Sequence, residues 1–387
     1  MIYYQNGSIN NDLTHEDLQK GLEEALNKVG AKEKVLAIPP DFTRFPSRAG
    51  ELTEMAWNYY GDKMTDILPA LGTHSPMTEE QIDIMFGKTP KDLFREHDWR
   101  NDVLTLGRVP SSFIEEVTDG GVDFDWPVQV NKMLVEGNYD LILSIGQVVP
   151  HEVVGMANYN KNIFVGTGGF EAINKSHYIG AVYGMERMMG RADTPVRKVF
   201  NYGSDYFANE LPILYILTVV GVNKEGRQQT YGLFVGDTFD VFDIAAKLSL
   251  EVNFQMVEKP LDKVVVWLDP TEFKSTWLGN KSVYRTRMAI ADGGELIVLA
   301  PALIEFGEDK EIDRLIRKYG YFGTETTLKA VRENKELSDN LGAAAHLIHG
   351  SSEGRFSITY CPGKGPENLS KEEIESVGFN YADIDET

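Results

Sequence analysis

The chain is poor in cysteine and in positive charge, and it has no long hydrophobic run. Cys361 is the only cysteine in 387 residues, which excludes an intrachain disulfide, an iron–sulfur cluster and a cysteine-rich zinc site. No run approaches the roughly 18 apolar residues that a membrane span requires. The 38 lysines and arginines against 59 aspartates and glutamates give a formal charge of −21, which disfavours nucleic acid and anionic membranes as partners. Because the amino terminus lacks the basic region and apolar core of a signal peptide, we expect a cytoplasmic protein.

Short apolar runs alternate with amphipathic, charged stretches, which is typical of an α/β fold. We predict buried strands at 35–38, 66–71, 141–145, 213–220, 263–268 and 295–300. A helix is expected over 14–29, with acidic residues in its first turn, and another begins near Thr78.

The length favours two domains, and the segment 257–262 is the best candidate for the boundary between them. We therefore expect two α/β domains with a cofactor or substrate cleft between them. The larger would span 1–262, and the smaller, 263–366, would close the cleft. The tail 367–387 follows a linker rich in proline and glycine and is free to rejoin the first domain.

A polar loop follows the first internal strand and carries Asp41, Thr43 and Arg44. These residues supply an acceptor, a hydroxyl and a fixed cation at a strand end, where open parallel sheets usually bind ligands. One interpretation is a salt bridge between Asp41 and Arg44 within the loop. The other is an anchor for a carboxylate or phosphate, which the planar guanidinium can bind through two parallel hydrogen bonds.

Two further strand-end loops each contain a histidine, His74 and His151. A single histidine in such a loop is more often a local hydrogen-bonding residue than a catalytic one. Matching placement at two strand ends favours an acid–base pair, because each imidazole titrates near neutrality.

The segment after His151 contains Lys161, a glycine cluster and His177. The backbone of the cluster (Gly166, Gly168 and Gly169) is a candidate for phosphate binding, although it matches no known nucleotide-binding fingerprint. The set His74, His151, Lys161 and His177 would suit a metal or cofactor, but no short histidine spacing supports zinc. His346 and His349 fit a packed helix end better than a metal pair. His15 and His97 lie in charged, solvated sequence and receive no role.

The ordered set of these motifs resembles the nickel-dependent lactate racemase family. Asp41-x-Thr43-Arg44 and Gly72-Thr73-His74-x-Pro76 are similar to two of its loops. Pro150-His151 is followed after ten residues by Lys161, which His177 follows after sixteen, as in that family. The resemblance is strong over 35–180 and weak over 281–301.

The resemblance implies an isomerase whose cofactor is the covalently bound nickel-pincer nucleotide, pyridinium-3,5-bisthiocarboxylic acid mononucleotide nickel. Lys161 would be the attachment point and His177 the protein ligand to nickel, a metal that imidazole suits. Asp41, Thr43 and the backbone of Gly166, Gly168 and Gly169 would position the phosphate or ribose. Separate cofactor-maturation proteins are implied as partners.

The same resemblance implies a small-molecule 2-hydroxy acid as substrate, held by Arg44 and Lys281, with His74 and His151 as the acid–base pair. The chemistry is consistent with these residue types. The C–H bond beside an ionised carboxylate is too weakly acidic for simple proton removal, and removal as hydride instead needs an electron-poor acceptor, which a cofactor provides and no side chain does. Inversion then needs a base on each side of the substrate.

Asn158-Tyr159-Asn160 replaces the family's glycine-glycine-arginine before the lysine, and Leu278 replaces a glutamine of lactate racemases. Tyr159 would then line the substrate pocket, so a longer polar acid such as an aldonic acid of the gluconate type competes with lactate, and malate-like or aromatic hydroxy acids also remain open. Two other interpretations stay open: a zinc-dependent hydrolase using the same histidines, and a non-catalytic anion-binding protein.

Overall fold

Two units divide the chain in the computed structural model, which describes residues 1–387. Unit 1 comprises residues 1–176 and 187–254, and unit 2 comprises residues 177–186 and 255–387. Each unit contains strands and helices, so the expectation of a mixed α/β fold is confirmed.

Unit 1 contains ten strands and most of nine helices. The strands are β1 (Ile2–Gly7), β2 (Val35–Ile38), β3 (Met64–Ile67), β4 (Val103–Val109), β5 (Trp126–Asn131), β6 (Leu141–Gln147), β7 (Pro150–His151), β8 (Gly155–Met156), β9 (Ile213–Val222) and β10 (Gln228–Gly236). The helices are α1 (His15–Val29), α2 (Ala49–Tyr60), α3 (Glu79–Phe86), α4 (Ser111–Val117), α5 (Met133–Glu136), α6 (Phe170–Tyr183), α7 (Met185–Met188), α8 (Pro195–Phe207) and α9 (Phe239–Asn253). Short 3₁₀ helices span Phe42–Ser47, Gly61–Lys63 and Lys91–Leu93, and a π-helix spans Asn162–Gly166.

A six-stranded sheet with the order β1-β10-β9-β6-β2-β3 forms the centre of unit 1. Strands β3, β2, β6 and β9 run parallel, whereas β10 and β1 are antiparallel additions at one edge. All four residues of β2 are buried, as expected for a parallel strand covered on both faces. Two small sheets, β4-β5 and β7-β8, lie outside the central sheet.

Helix α1 shows how local sequence signals select an element of this unit. Thr14 and Asp17 form a capping box that satisfies free backbone N–H groups of the first turn. Leu18, Leu22 and Leu26 recur at helical spacing and are fully or almost fully buried, so the helix packs one apolar face on the core. The predicted start of α3 is equally clear, because Thr78 forms a capping box with Gln81.

Unit 2 is built on a parallel sheet with the order β11-β12-β13-β14. The strands are β11 (Leu261–Trp267), β12 (Ile290–Ala300), β13 (Ser357–Pro362) and β14 (Asn380–Tyr381). Its helices are α10 (Thr276–Gly279), α11 (Lys281–Thr286), α12 (Lys310–Tyr319), α13 (Thr324–Glu333), α14 (Lys335–Ser338), α15 (Leu341–His349) and α16 (Lys371–Ser376).

Unit 2 includes one segment, residues 177–186, that is far in sequence from the rest of the unit. Helix α6 begins in unit 1, but its last part, from His177, belongs to unit 2, where Ala181 packs with Ala345 and Ile348. The expected boundary at 262 lies inside β11, and the units separate after Phe254. The tail 367–387 lies in unit 2, because β14 pairs with β13. None of the helices has the length and hydrophobicity needed to cross a membrane.

Candidate active site

Three loops leave the central sheet of unit 1 at the carboxyl ends of β2, β3 and β6. Since these strands are parallel and adjacent, their loops start at the same edge of the sheet. The chain beyond β3 continues alongside the loop after β2 through an isolated bridge between Pro40 and Ala70. The polar residues that follow these strands in sequence therefore lie at the same edge of the sheet.

Asp41 and His74 come from two of these loops and are hydrogen-bonded to each other. The distance between His74 Nδ1 and Asp41 Oδ2 is 2.6 Å. The other carboxylate oxygen accepts hydrogen bonds from the Thr43 hydroxyl, at 2.5 Å, and the Thr43 backbone N–H, at 3.2 Å. Asp41 thus caps the short helix Phe42–Ser47 and holds the imidazole of His74 at the same time.

The environment of Asp41 keeps its carboxyl group ionised. Burial by itself raises the pKa of Asp41, but the hydrogen bond and charge of His74, together with the two bonds from Thr43, outweigh it and hold the pKa below its usual value. A carboxylate accepts only, so His74 Nδ1 carries the donated hydrogen, and in the neutral ring Nε2 presents a lone pair. The His74 side chain is 55% exposed, so Nε2 can be reached by a small molecule.

Arg44 makes no ion pair with any carboxylate of unit 1. The predicted alternative of a salt bridge between Asp41 and Arg44 is wrong, because His74 and Thr43 take both oxygens of Asp41. Arg44 donates only its backbone N–H, to the Asp41 carbonyl at 3.0 Å. Its side chain is partly exposed, so the loop presents an uncompensated guanidinium beside the His74–Asp41 pair.

His151 lies in the short strand β7 and is buried, with 7% of its surface exposed. The backbone N–H of Val153 donates to His151 Nδ1 at 3.1 Å, and the Glu152 carboxylate lies 3.8 Å from the same nitrogen. An Nδ1 atom that accepts a hydrogen bond places the hydrogen of the neutral ring on Nε2. His151 therefore presents a donor, whereas His74 presents an acceptor.

The segment that contains Lys161 is tied to the same strand ends. Asn162 donates its side-chain amide to the Ile38 carbonyl and to the Ser144 hydroxyl, each at 3.0 Å. Four residues later, the Gly166 carbonyl accepts a hydrogen bond from the Gly72 N–H at 2.8 Å, in the loop of His74. These bonds bring Lys161 to the edge of the sheet where Asp41, Arg44 and His74 lie.

The ammonium group of Lys161 has no hydrogen-bond or ion-pair partner in the chain, although its side chain keeps some access to solvent. Desolvation by the surrounding protein, and secondly the positive charge of Arg44, lower the pKa of Lys161 to about 8. About a tenth of Lys161 is therefore an uncharged amine at pH 7, far more than for an ordinary lysine. Lysines in such surroundings are effective nucleophiles.

Arg197 of helix α8 holds the loop that precedes Lys161, a role that the sequence did not reveal. This fully buried guanidinium donates to the Met156 carbonyl at 2.7 Å, to the Asn158 carbonyl at 3.2 Å and to the Asn160 side chain. The loop needs the support, because Asn158 has a φ of 65°, in the left-handed region that non-glycine residues seldom adopt. An arginine in an amphipathic helix gives no sequence signal for such burial.

Tyr159, predicted to bind substrate, lies in an aromatic cluster of unit 1. Its ring centroid is 4.2 Å from that of Tyr215 and 5.3 Å from that of Phe242. No contact joins it to Asp41 or His74 among the interactions of unit 1. Its role towards substrate stays a prediction.

The glycine cluster after Lys161 has a packing role that the sequence did not show. A Cβ atom on Gly166 would lie 2.6 Å from Ala70 Cβ, and one on Gly168 would lie 1.9 Å from the Phe164 carbonyl oxygen. On Gly169 it would lie 2.6 Å from a side-chain oxygen. Glycine is thus required at 168, where a backbone carbonyl approaches, and close packing favours it at 166, whereas the neighbour of Gly169 is the end of a flexible side chain. Phosphate binding by this cluster stays a prediction.

His97 anchors the same segment, and the expectation that it is solvated was wrong. It is only 4% exposed, and its Nε2–H donates to the Gly168 carbonyl at 2.9 Å. Asn131 donates to the other ring nitrogen at 3.0 Å. Burial lowers the pKa of His97, so the ring is neutral and structural.

Two predicted site residues belong to unit 2. His177 lies in α6 and is partly exposed, and Lys281 begins α11, with its ammonium 6.0 Å from the Phe273 ring centroid. His346 is a packed histidine of this unit. Its Nδ1 atom lies 2.9 Å from the Tyr284 hydroxyl, and its Nε2 atom lies 2.9 Å from the Tyr321 hydroxyl. Burial lowers the pKa of His346 to about 3.

No group of three or more His, Cys, Asp or Glu side chains is arranged to hold a metal ion. Catalytic zinc sites use three protein ligands, so the hydrolase alternative finds no support in this side-chain arrangement. A metal held mainly by an organic cofactor needs fewer protein ligands and is compatible with it.

Comparisons with known proteins agree with the strand-end motifs. Residues 7–189 match the family model of the lactate racemase N-terminal domain. The fold is similar to a crystal structure of a Thermotoga maritima protein solved by structural genomics, at a TM-score of 0.83 and 24% identity, covering 98% of this chain and 94% of that one. It is also similar to the lactate racemase apoprotein from Thermoanaerobacterium thermosaccharolyticum, at a TM-score of 0.69 and 17% identity, covering 96% and 86%. No curated protein matches the chain significantly.

These matches confirm the resemblance that the ordered motifs predicted. The matched range contains Asp41, Arg44, His74, His151 and Lys161, and the similar folds extend over nearly the whole chain. Residues 7–189 of this chain match the model of the lactate racemase N-terminal domain, and the fold of the whole chain is similar to that of a lactate racemase apoprotein.

Proposed function

We propose that the protein is a racemase or epimerase that inverts C2 of a 2-hydroxy acid. The observation that supports this best is the meeting of His74, held by Asp41, with an unpaired Arg44 and a partner-free Lys161 at one edge of the sheet. Arg44 can bind an anion, His74 can act as a base, and Lys161 can act as a nucleophile. A simple anion-binding protein would need only the first.

Arg44 binds the substrate carboxylate in this proposal. A guanidinium without an intramolecular carboxylate partner is available for a two-pronged contact with an incoming carboxylate. The short helix Phe42–Ser47, capped by Asp41, fixes the direction from which the arginine approaches. Lys281 keeps the role that the family resemblance implies, as a second cation for the substrate.

His74 and His151 move the hydroxyl proton. His74 Nε2 accepts it, and the imidazolium that forms is stabilised by the Asp41 carboxylate at Nδ1. His151 presents its Nε2–H as the donor of the pair, since Nδ1 is taken by the Val153 N–H. The resting protein thus offers one acceptor and one donor, the two functions that inversion of an alcohol centre requires.

The residues of unit 1 fit the covalent cofactor that the family resemblance implies. Lys161 has no partner and a pKa lowered to about 8, as a lysine that is to form an amide-type bond needs. His177 would be the protein ligand to nickel, and Asp41 and Thr43 would lie towards the phosphate or ribose. When bound, a nickel-pincer nucleotide supplies an acceptor for the C2 hydrogen as hydride, which no side chain can provide.

The substrate class follows from the same residues. Arg44 selects a carboxylate, and the acid–base pair selects a hydroxyl on the neighbouring carbon. We propose either a lactate-like acid or a longer polar acid of the gluconate type. The Asn158–Asn160 segment, which differs from the family, is the part of the chain that we expect to distinguish them.

The test is production of the chain together with cofactor-maturation proteins, followed by intact mass, metal content and chiral analysis of single stereoisomers of lactate, malate and gluconate. The expected result is a nucleotide adduct, nickel near one per chain and inversion of one of these acids. The Lys161→Met variant is the matched control and should show neither adduct nor inversion. A nickel-loaded protein that inverts none of them would refute the proposal, and zinc with hydrolytic activity would replace it.

A further inference from the structure

A separate cavity of about 230 Å³ lies in unit 1 beside the start of strand β9. Its walls come from four parts of the unit: the segment around Tyr159, the end of α8 with Asp205, the strand residue Tyr215, and Asp237 after β10. None of Asp41, Arg44, His74, His151 or Lys161 lines it. Its volume is below the roughly 300–1,000 Å³ of pockets for drug-sized ligands, so a ligand would be small.

Two buried tyrosines present unused hydroxyl groups to this cavity. Tyr159 and Tyr215 are 7% and 4% exposed, and both line the cavity. Neither hydroxyl has a hydrogen-bond partner in the chain, and neither is sealed inside the protein like the buried hydroxyl of Tyr60. Both hydroxyls are therefore free to hydrogen-bond a polar group that enters the cavity, which water or a polar ligand can supply.

The charges around the cavity are negative. Asp205 and Asp237 line it, and no lysine, arginine or histidine does. Asp237 is partly compensated, since it accepts from the Tyr3 hydroxyl at 3.0 Å and contacts the Met1 ammonium group. Asp205 has no ion-pair or hydrogen-bond partner, so its carboxylate is open to an incoming cation.

Aromatic faces complete the surroundings. Tyr159, Tyr215 and Phe164 contribute rings to the lining. Aromatic rings together with carboxylates attract organic cations, whose apolar groups pack on the rings while their charge is compensated. Two cations lie near the lining: the Met1 ammonium is paired with Asp237, and Arg197 lies behind this wall, fully buried and 5.8 Å from the Tyr159 ring centroid.

We infer that this cavity binds a small organic ammonium ion that also carries a hydroxyl group. Asp205 compensates the charge, the rings of Tyr159 and Tyr215 contact its alkyl groups, and the two phenolic hydroxyls bond its hydroxyl. Tyr159 is also predicted to contact the substrate of the proposed isomerase, but Asp205 and Tyr215 have no role in that chemistry, so variants of these two residues test the cavity separately.

The test is calorimetric titration of the purified protein with choline, with tetramethylammonium and with 3,3-dimethyl-1-butanol, the neutral analogue of choline. Both cations should bind, and the neutral alcohol should bind at least about tenfold more weakly. Equal affinity for choline and its neutral analogue would overturn the inference, as would the absence of binding by all three.

Variants of the lining residues then test which side chains bind the ligand. Asp205→Asn should weaken both cations by about tenfold, whereas Glu210→Gln, at an exposed position that does not line the cavity, should leave both affinities unchanged. Tyr215→Phe keeps the ring and should weaken choline but not tetramethylammonium. Unchanged choline affinity in Asp205→Asn would overturn the inference, and circular dichroism would verify that each variant is folded.

Discussion

His74 Nδ1 lies 2.6 Å from Asp41 Oδ2, so a buried carboxylate orients an exposed imidazole at the edge of the central sheet. The bond determines which ring nitrogen of His74 carries hydrogen and leaves the other as a base. It also leaves Arg44 without an internal counterion. In the proposed function, this one hydrogen bond prepares both side chains for a 2-hydroxy acid.

Replacing Asp41 by Asn should preserve the shape of the loop and remove the base. The amide of asparagine can donate to His74 Nδ1, which would place the imidazole hydrogen on Nε2. We expect kcat to fall by about 100- to 10,000-fold, with thermal stability changed little. The exposed Asp62→Asn variant serves as control, and unaltered kcat in Asp41→Asn would show that the pair is only structural.

The Arg44→Lys variant should bind substrate poorly. A lysine keeps the charge but cannot reproduce two parallel hydrogen bonds to a carboxylate. We expect KM to rise by about 10- to 100-fold with a smaller change in kcat, measured by initial rates on the preferred acid. Arg191→Lys, at an exposed position, is the matched control. A KM equal to that of the wild type would remove Arg44 from the substrate site.

Lys161→Met should stabilise the cofactor-free chain near neutral pH. The pKa of Lys161 is about 8 in the folded chain against 10.5 for an ordinary lysine. Below pH 8 the desolvated ammonium therefore lowers the free energy of unfolding by its full amount. This destabilisation disappears as the pH rises towards 10.5. We expect a gain on the order of 2 kcal/mol at pH 7, allowing for partial exposure, that falls to about a quarter of this value at pH 10.

Urea unfolding of the wild type and variant at both pH values measures this difference. Lys91→Met is the control, since the hydrogen bond to Asp83 raises the pKa of that exposed lysine. A difference between Lys161→Met and the wild type that is the same at pH 7 and pH 10 would contradict the assignment of a desolvated ammonium to Lys161.

The two histidines should affect the two stereoisomers differently. If they face opposite sides of the substrate, His74→Ala and His151→Ala each abolish net inversion, because both groups act in one turnover. Each variant should still react once with one stereoisomer, at a rate lowered by about 100- to 10,000-fold. Absorbance of the loaded enzyme, mixed with each separate stereoisomer, measures this. Equal responses of both variants to both stereoisomers would refute the two-sided arrangement.

Elements with strong local signals could be predicted from sequence. The capping box and apolar spacing of α1 give its limits within a residue, and β2 lies at the predicted 35–38. The third strand was predicted at 66–71, but it ends at Ile67. Pro69 has no N–H to continue the pairing of the strands. Only isolated hydrogen bonds follow, such as the one from the Leu68 N–H to the Ala37 carbonyl.

The site was predictable as a set of strand-end loops but not in its contacts. Asp41 bonds His74, 33 residues away, rather than its near neighbour Arg44, because the loops meet only in the folded sheet. Arg197 and His97 resemble surface residues in sequence, and only the tertiary structure buries them. The assignment of 177–186 to unit 2 was equally hidden, since α6 continues without a break across the division.

The most direct test of the central claim uses a single stereoisomer of the preferred 2-hydroxy acid, deuterated at C2, with the cofactor-loaded protein in ordinary water. Removal of the C2 hydrogen as hydride and its return to the other face should give an inverted product that retains the deuterium, as mass spectrometry after chiral separation would show. Complete replacement of deuterium by solvent hydrogen in the inverted product, or no inversion at all, would contradict the account.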